Sequence, residues 1–197
     1  MPRVVDHDAR RDEIAAAAWE VIARDGFDQA TMRSIAAEAG YSHSAFARYF
    51  PDKETLLNAV FLLTRGDADR RIDELTAGKR GLDALHGMCV AALPFGPEGT
   101  RHARVGVAYW SYAAQNETFW ATQREHARRW RERILRHLEE AHADGEIAED
   151  VDLVTASDRV ASSNMGWQTI RLLMPEFSTD ERMLAALDAL LGSLRRH

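Results

Sequence analysis

Residues 31–53, TMRSIAAEAGYSHSAFARYFPDK, constrain this chain more than any other stretch. Ile35 and Ala36 are the apolar positions of a short helix. Ala39-Gly40 ends it, because glycine enters the left-handed conformation that a helix terminus often requires. Ser42 is a favourable N-cap for a second helix, on which Phe46, Tyr49 and Phe50 share one face. Pro51 closes that helix and Asp52 caps the next. A small residue at Ala36, a glycine four positions later and a large apolar residue at Phe46 form the pattern of a helix-turn-helix. Such a unit lays its second helix in the major groove of DNA; an αα-hairpin without a DNA role is the alternative.

The charge balance points to local contact with nucleic acid. The 197 residues hold 25 Lys and Arg against 31 Asp and Glu, a net charge of -6. Residues 1–53 also carry more acidic than basic side chains; only residues 31–53 turn positive, with Arg33, Arg48 and Lys53 against Glu38 and Asp52. Any DNA face is therefore a patch, and non-specific binding is expected to be weak and salt-sensitive. Cys89 is the one cysteine, so no intramolecular disulfide forms. The N-terminus MPRVVDHDARR lacks an apolar signal core, and no apolar run is long enough to span a bilayer. A cytoplasmic protein without a membrane partner is expected.

Almost every other segment reads as helix, so the expected fold class is all-α. Ile14, Ala18, Val21 and Ile22 give residues 9–24 an inner stripe. Arg10 and Arg11 stand near the start of that helix, where its dipole disfavours cations; they suit phosphate contact or a solvated end equally. Asp52 opens a long helix bearing Leu56, Leu57, Val60, Phe61 and Leu63. Residues 94–99 read as the one clear loop, before a ring-rich helix over 104–114. Residues 119–143 form a helix expected to carry Trp120, Trp130, Ile134 and Leu138 inward and a run of arginines on a solvated outer face. Residues 153–174 mix small residues with Val160, Trp167 and Ile170. The last helix, capped by Ser178 or Thr179, repeats Met183, Leu184, Leu187, Leu190, Leu191 and Leu194 at three and four. That pair suggests a surface buried by a second copy, with packing inside one subunit as the alternative.

Residues 11–61, with Gly26-Phe27, Thr31, Ile35-Ala36, Ala39-Gly40, Ser42, Tyr49-Phe50, Lys53 and Leu56-Leu57, resemble the DNA-binding domain of the TetR family of one-component repressors. Tyr109-Trp110, Asn116-Glu117, Trp130-Arg131, Gly145-Glu146-Ile147, Asp152, Gly166 and Leu173-Met174-Pro175 resemble the ligand-binding half of the choline-responsive BetI subclass. The resemblance implies a three-helix helix-turn-helix DNA-binding domain over residues 1–52. Over residues 53–197 it implies a helical ligand-binding and dimerisation domain, with a homodimer formed through the last two helices. It also implies phosphate contacts by Tyr49 and Lys53. Members often carry lysine, glycine, threonine and tyrosine where this chain has His43, Ser44, Ala45 and Ala47, and the alanines cannot donate to phosphate or bases. The burden of reading DNA then moves onto Arg33, His43 and Arg48.

Geometry assigns the remaining roles. Thr31 begins the first short helix, where its hydroxyl and neighbouring N–H groups can meet phosphate. Arg33 can reach a base edge, arginine being shaped to take guanine O6 and N7 together. Ser42, His43, Ser44 and Ala47 form the front of the second helix, with Arg48 beside them. For a small-molecule inducer, Trp110, Trp120 and Trp167 offer rings for a cationic or flat aromatic ligand, Met88 an apolar wall, and Gln123, Asn164 and Gln168 polar groups. Core packing is the other use of each ring.

No cofactor, metal or catalytic group is expected. The eight histidines include no i, i+4 pair, and His137 and His142, five apart, diverge. His86 and His126 are the two that can approach a pocket. Ser42-His43-Ser44 cannot act as a nucleophile and base, since helix neighbours project about 100° apart. The expected function is a ligand-responsive repressor that binds a pseudo-palindromic operator as a homodimer and is released by an inducer. A dimeric helical module that binds a small molecule or protein without reading DNA is the alternative.

Overall fold

The computed structural model describes residues 7–196; residues 1–6 and 197, included in the charge balance and in both expected domains, lie outside them. The described residues form nine α-helices and one 3-10 turn, with one isolated bridge between Ile147 and Arg195. The fold is all-α, as expected.

Helices α1 (His7–Asp25), α2 (Met32–Glu38) and α3 (His43–Phe46) build the head. Thr31 caps α2 with a reciprocal pair: its Oγ1 accepts from Ser34 N at 3.0 Å, and its N–H donates to Ser34 Oγ at 3.0 Å. Gly40, at φ +73, then lets Tyr41 N reach Ala36 O at 2.9 Å and Gly40 N reach Ala37 O at 3.1 Å. This paired closure satisfies the last carbonyls of α2 and fixes the angle at which α3 leaves. Phe46 and Phe50 are fully buried beneath α3, with ring centroids 6.1 Å apart.

Helix α4 (Lys53–Thr76) belongs to two cores. Leu56, Leu57, Val60 and Phe61 enter the first, with Ile14, Ile22, Ile35, Phe46 and Phe50 of the head. Val105, Tyr109 and Ala113 of α6 (Gly96–Ala113) and Phe119 of α7 (Glu117–Ala143) complete it. Ile72 enters the second core, with Leu85 and Met88 of α5 (Gly81–Ala92), Ile134 and Leu138 of α7, Val160 of α8 (Leu153–Leu173), and Met183 and Leu187 of α9 (Asp180–Gly192). Each such side chain contributes about 1.5–3 kcal/mol through burial. At Gly87 the α4 and α5 backbones approach so closely that a Cβ would meet Leu75 O at 2.6 Å.

Two helix starts are satisfied by distant residues. Gly81 N donates to Glu140 Oε2 and Leu82 N to Glu146 Oε2, each at 3.2 Å, at the head of α5. Gly96 N donates to Asp180 Oδ2 at 3.0 Å at the head of α6. This distant cap, with Pro97 in the first turn, starts α6 inside the stretch expected to be loop. The inward placement of Trp120 is also corrected. Asn116 caps α7 early, turning Phe119 into the core, and Trp120, one residue on, is 49% exposed beneath Arg124.

Replacing Phe46 with alanine leaves a cavity under α3 and should cost about 3–5 kcal/mol in urea unfolding. A second expectation concerns Asp52, whose side chain accepts from Thr55 N at 2.6 Å. That bond holds its carboxyl below the ordinary 3.8. A lowered folded-state value contributes stability above the unfolded value and loses it as pH falls through the folded one. Asp52→Ala should therefore trail the parent at pH 7, and the gap should narrow below about pH 3.8.

Candidate functional site

The outer surface of α2 and α3 carries the residues expected to meet DNA. Arg33, Ser42, His43, Ser44, Ala47 and Arg48 are all exposed. Ser42 caps α3 by accepting from Ala45 N at 3.3 Å, and its Oγ stands 3.3 Å from Ser44 Oγ. The two hydroxyls thus sit together at the front of the reading helix. Thr31 is exposed, but its hydroxyl is engaged in the α2 cap.

Other cations near the head are tied to protein. Lys53 Nζ donates to Phe27 O at 2.6 Å and lies 4.1 Å from the Phe27 ring centre, and burial pushes its pKa down. Its remaining ammonium protons are what a phosphate can take. Tyr49 is half-buried, its ring 4.8 Å from His7 and 5.9 Å from Tyr41. Arg11 turns inward, donating from Nη1 to Tyr49 O at 2.5 Å and lying over Phe50, while Arg10 pairs with Glu13 at 2.5 Å. Both are thereby engaged within the head. Arg33 and Arg48 make no ion pair among the described residues.

The residues expected to bind ligand fall into two groups. Met88, Asn164, Trp167 and Gln168 gather where α5 meets α8. Asn164 Nδ2 donates to Cys89 O at 3.2 Å and Gln168 Nε2 to Ala92 O at 2.5 Å; Met88 is fully buried and Trp167 packs against the second core. Trp110 packs against the first core instead, and Trp120 is on the surface. Gln123 has a buried Oε1 without a donor. The rings therefore do not converge into one cage. The Cys89 thiol, buried beside Met88, is pushed up to about 12 and stays protonated.

The link between α6 and the head was not legible in the sequence. Arg104 Nη1 donates to Ala23 O and, at 3.4 Å, to Arg24 O, covering the carbonyl end of α1. Arg101 pairs with Glu20 of α1 and lies 4.4 Å from the Trp19 ring centre. Neither arginine has a local spacing that announces a partner eighty residues away. The outer arginines of α7 form ladders: Arg128 pairs with Glu125 and Glu132, and Arg133 pairs with Asp69 of α4 at 2.9 Å. Arg129 and Arg131 are likewise paired, with Glu125 and Asp158, as on a solvated face.

A capped helix-turn-helix joined through α4 and α6 to a helical body is the architecture of a DNA-binding regulator. Residues 14–60 match the family described as bacterial regulatory proteins of the tetR family. Residues 81–196 match the C-terminal family of BetI-type transcriptional repressors. The chain belongs to the TetR family of transcriptional regulators and is not an enzyme.

Among curated relatives, the chain is 33% identical over 116 residues to the HTH-type transcriptional regulator PksA of Bacillus subtilis. That match covers 57% of this chain and 56% of PksA, so it spans about half the length of that relative. It is 30% identical over 145 residues to the HTH-type transcriptional regulator BetI of Vibrio parahaemolyticus, 70% of this chain and 69% of that one. A transcriptional regulator from Saccharomonospora viridis, solved in complex with choline, shares the fold with a TM-score of 0.87 at 21% identity, over 96% of this chain and 99% of that one.

Base and phosphate contacts leave different signatures. Arg33→Ala should weaken operator binding by about 1–3 kcal/mol and relax preference at one position. Lys53→Ala should weaken operator and scrambled DNA alike and lower the salt slope by about one unit. Fluorescence anisotropy at several salt concentrations distinguishes them. An equal loss on both DNAs for Arg33→Ala would assign base reading to Ser42, His43, Ser44 and DNA shape.

Proposed function

We propose that this chain is a ligand-responsive repressor that binds a pseudo-palindromic operator as a homodimer and leaves it when a small-molecule inducer binds. The observation that carries this reading is the exposed polar front of α2 and α3, held in one orientation by the Thr31 cap and the Gly40 closure. Residues 1–52 read DNA, through Thr31, Arg33, Ser42, His43, Ser44, Arg48, Tyr49 and Lys53. Residues 53–197 bind the inducer and form the dimer.

The dimer is supported by apolar side chains left uncovered on α8 and at its end. Leu173 is 71% exposed and Phe177 52%, with Val154, Met165, Met174 and Leu184 also open. That much apolar surface on adjoining elements is what a second copy would cover. Inducer binding among the body helices reaches the head through α6, because Arg101 and Arg104 hold the end of α1. A dimer whose heads move apart loses the half-site spacing of successive major grooves. The inducer acts through its differential affinity for the two arrangements.

Met88, Asn164, Trp167 and Gln168 offer one place for an inducer, and Trp110, Trp120 and Gln123 line the other end of the body. Choline is the ligand of the Saccharomonospora protein. A choline response here draws on that likeness and on the BetI-type family, but the tryptophans do not form the cage that a quaternary ammonium favours.

Light scattering at micromolar concentration should give twice the chain mass, and Leu173→Glu should shift it toward monomer. Titrating the chain into a labelled duplex from upstream of its own gene should give saturable binding that scrambled duplex lacks. Binding to both alike would overturn sequence-specific regulation. Arg104→Ala should keep operator binding within a few-fold while blunting release by any inducer.

A further inference from the structure

Arg171, in the last turn of α8, holds three other parts of the body at once. Its Nε donates to Thr100 Oγ1 of α6 at 3.0 Å and its Nη1 to Ser178 O at 2.5 Å, while its Nη2 pairs with Asp180 Oδ1 of α9 at 3.3 Å. The side chain is 17% exposed, so these bonds lie largely out of water. A planar guanidinium with donors on three nitrogens suits three such acceptors; the point charge of a lysine does not.

Each acceptor is itself fixed. Thr100 Oγ1 donates to Gly96 O at 2.7 Å, and Asp180 accepts from Gly96 N, so Arg171 grips the first turn of α6 through both of its partners there. Ser178 is fully buried, and its Oγ donates to Met174 O at 3.2 Å and Pro175 O at 3.3 Å. Its carbonyl therefore anchors the 3-10 turn Pro175–Phe177. That turn and the end of α8 carry Leu173, Met174 and Phe177, all exposed.

The next residue of α6 faces the other way. Arg101 follows Thr100 directly and pairs with Glu20 of α1, and Arg104, a turn later, holds the carbonyl end of α1. Neighbours on a helix project about 100° apart, so the start of α6 is held from two sides. Arg171 holds one side and the head the other.

We propose that Arg171 is a positioning residue that couples the apolar turn after α8 to the first turn of α6 and, through Arg101 and Arg104, to α1 of the head. The inference rests on the homodimer proposed above. A second copy that covers Leu173, Met174 and Phe177 bears on the turn that Arg171 holds. Assembly and the setting of the head are thereby linked inside each subunit, and the linkage runs in both directions.

Hydrogen exchange of the full chain, without DNA, tests this on the parent, Arg171→Met, Arg171→Lys and Thr100→Val. Arg171→Met should speed exchange by about tenfold or more at residues 96–104, at residues 174–180 and at residues 20–26 of the head, while residues 134–141 in the second core keep the rate of the parent. Arg171→Lys should behave like Arg171→Met, because it keeps the charge and loses the fork. Thr100→Val keeps Arg171 on the turn and should loosen only residues 96–104 and 20–26. Sedimentation should show assembly weakened about tenfold in Arg171→Met and unchanged in Thr100→Val.

Two results would overturn the inference. One is loosening of Arg171→Met confined to residues 96–100 and 174–180 with residues 20–26 unmoved, which is what a local brace would give. The other is an Arg171→Met protein that assembles as tightly as the parent. Should Arg171→Met fail to fold, Thr100→Val decides: exchange at residues 20–26 equal to that of the parent overturns the coupling. Light scattering of the parent reads the homodimer on its own. A monomeric parent ends that reading, whereas a dimeric parent with an unmoved head in both variants ends this one.

Discussion

The stack of Phe61 on Tyr109, 3.7 Å apart and 8° from parallel, is the contact on which the arrangement of head and body depends. Phe61 comes from the helix that leaves the head, and Tyr109 from a helix of the body. Both are buried in the same core as Phe46 and Phe50, which anchor the reading helix. The head therefore has no hydrophobic core of its own. Its packing is completed by Val105, Tyr109, Ala113 and Phe119, so a shift of α6 is felt beneath α3. Tyr109 also donates to Asn58 Oδ1 at 2.9 Å, which gives the buried phenol a partner on α4 and adds direction to a contact that stacking alone would leave free to slide.

Around that junction, charge does what apolar packing cannot. Arg104 closes the carbonyl end of α1, Arg101 pairs with its flank, and Lys53 ties the start of α4 to the Phe27 carbonyl. Each is a directional tie between head and body made by a cation. The junction thus holds ties that cross from body to head at three separate points.

Much of the fold was legible because its signals are local. Ser42, Asp52 and Thr179 each announce a helix start within three residues, and Gly40 announces an end. The DNA-facing residues followed from those signals, since a short helix with Phe46 and Phe50 beneath must expose Ser42, His43 and Ser44. What stayed hidden depends on distant partners. Nothing in residues 94–99 shows that Asp180 will cap Gly96. A tryptophan count cannot say which core a ring joins, so Trp110 and Trp167 were grouped although they pack against different ones.

The borrowed helix caps have a consequence for how the chain comes to be folded. The start of α5 waits for carboxylates 59 and 64 residues further on, and the start of α6 for one 84 residues further on. As the chain emerges from the ribosome, the head helices can close with their own caps. The first turns of α5 and α6 keep bare amides until residues 140–180 have been made. The body therefore cannot mature in the order in which it is synthesised. Its early helices gain their first turns from its last ones, and a nascent chain halted before Asp180 carries an α6 whose start is still uncapped.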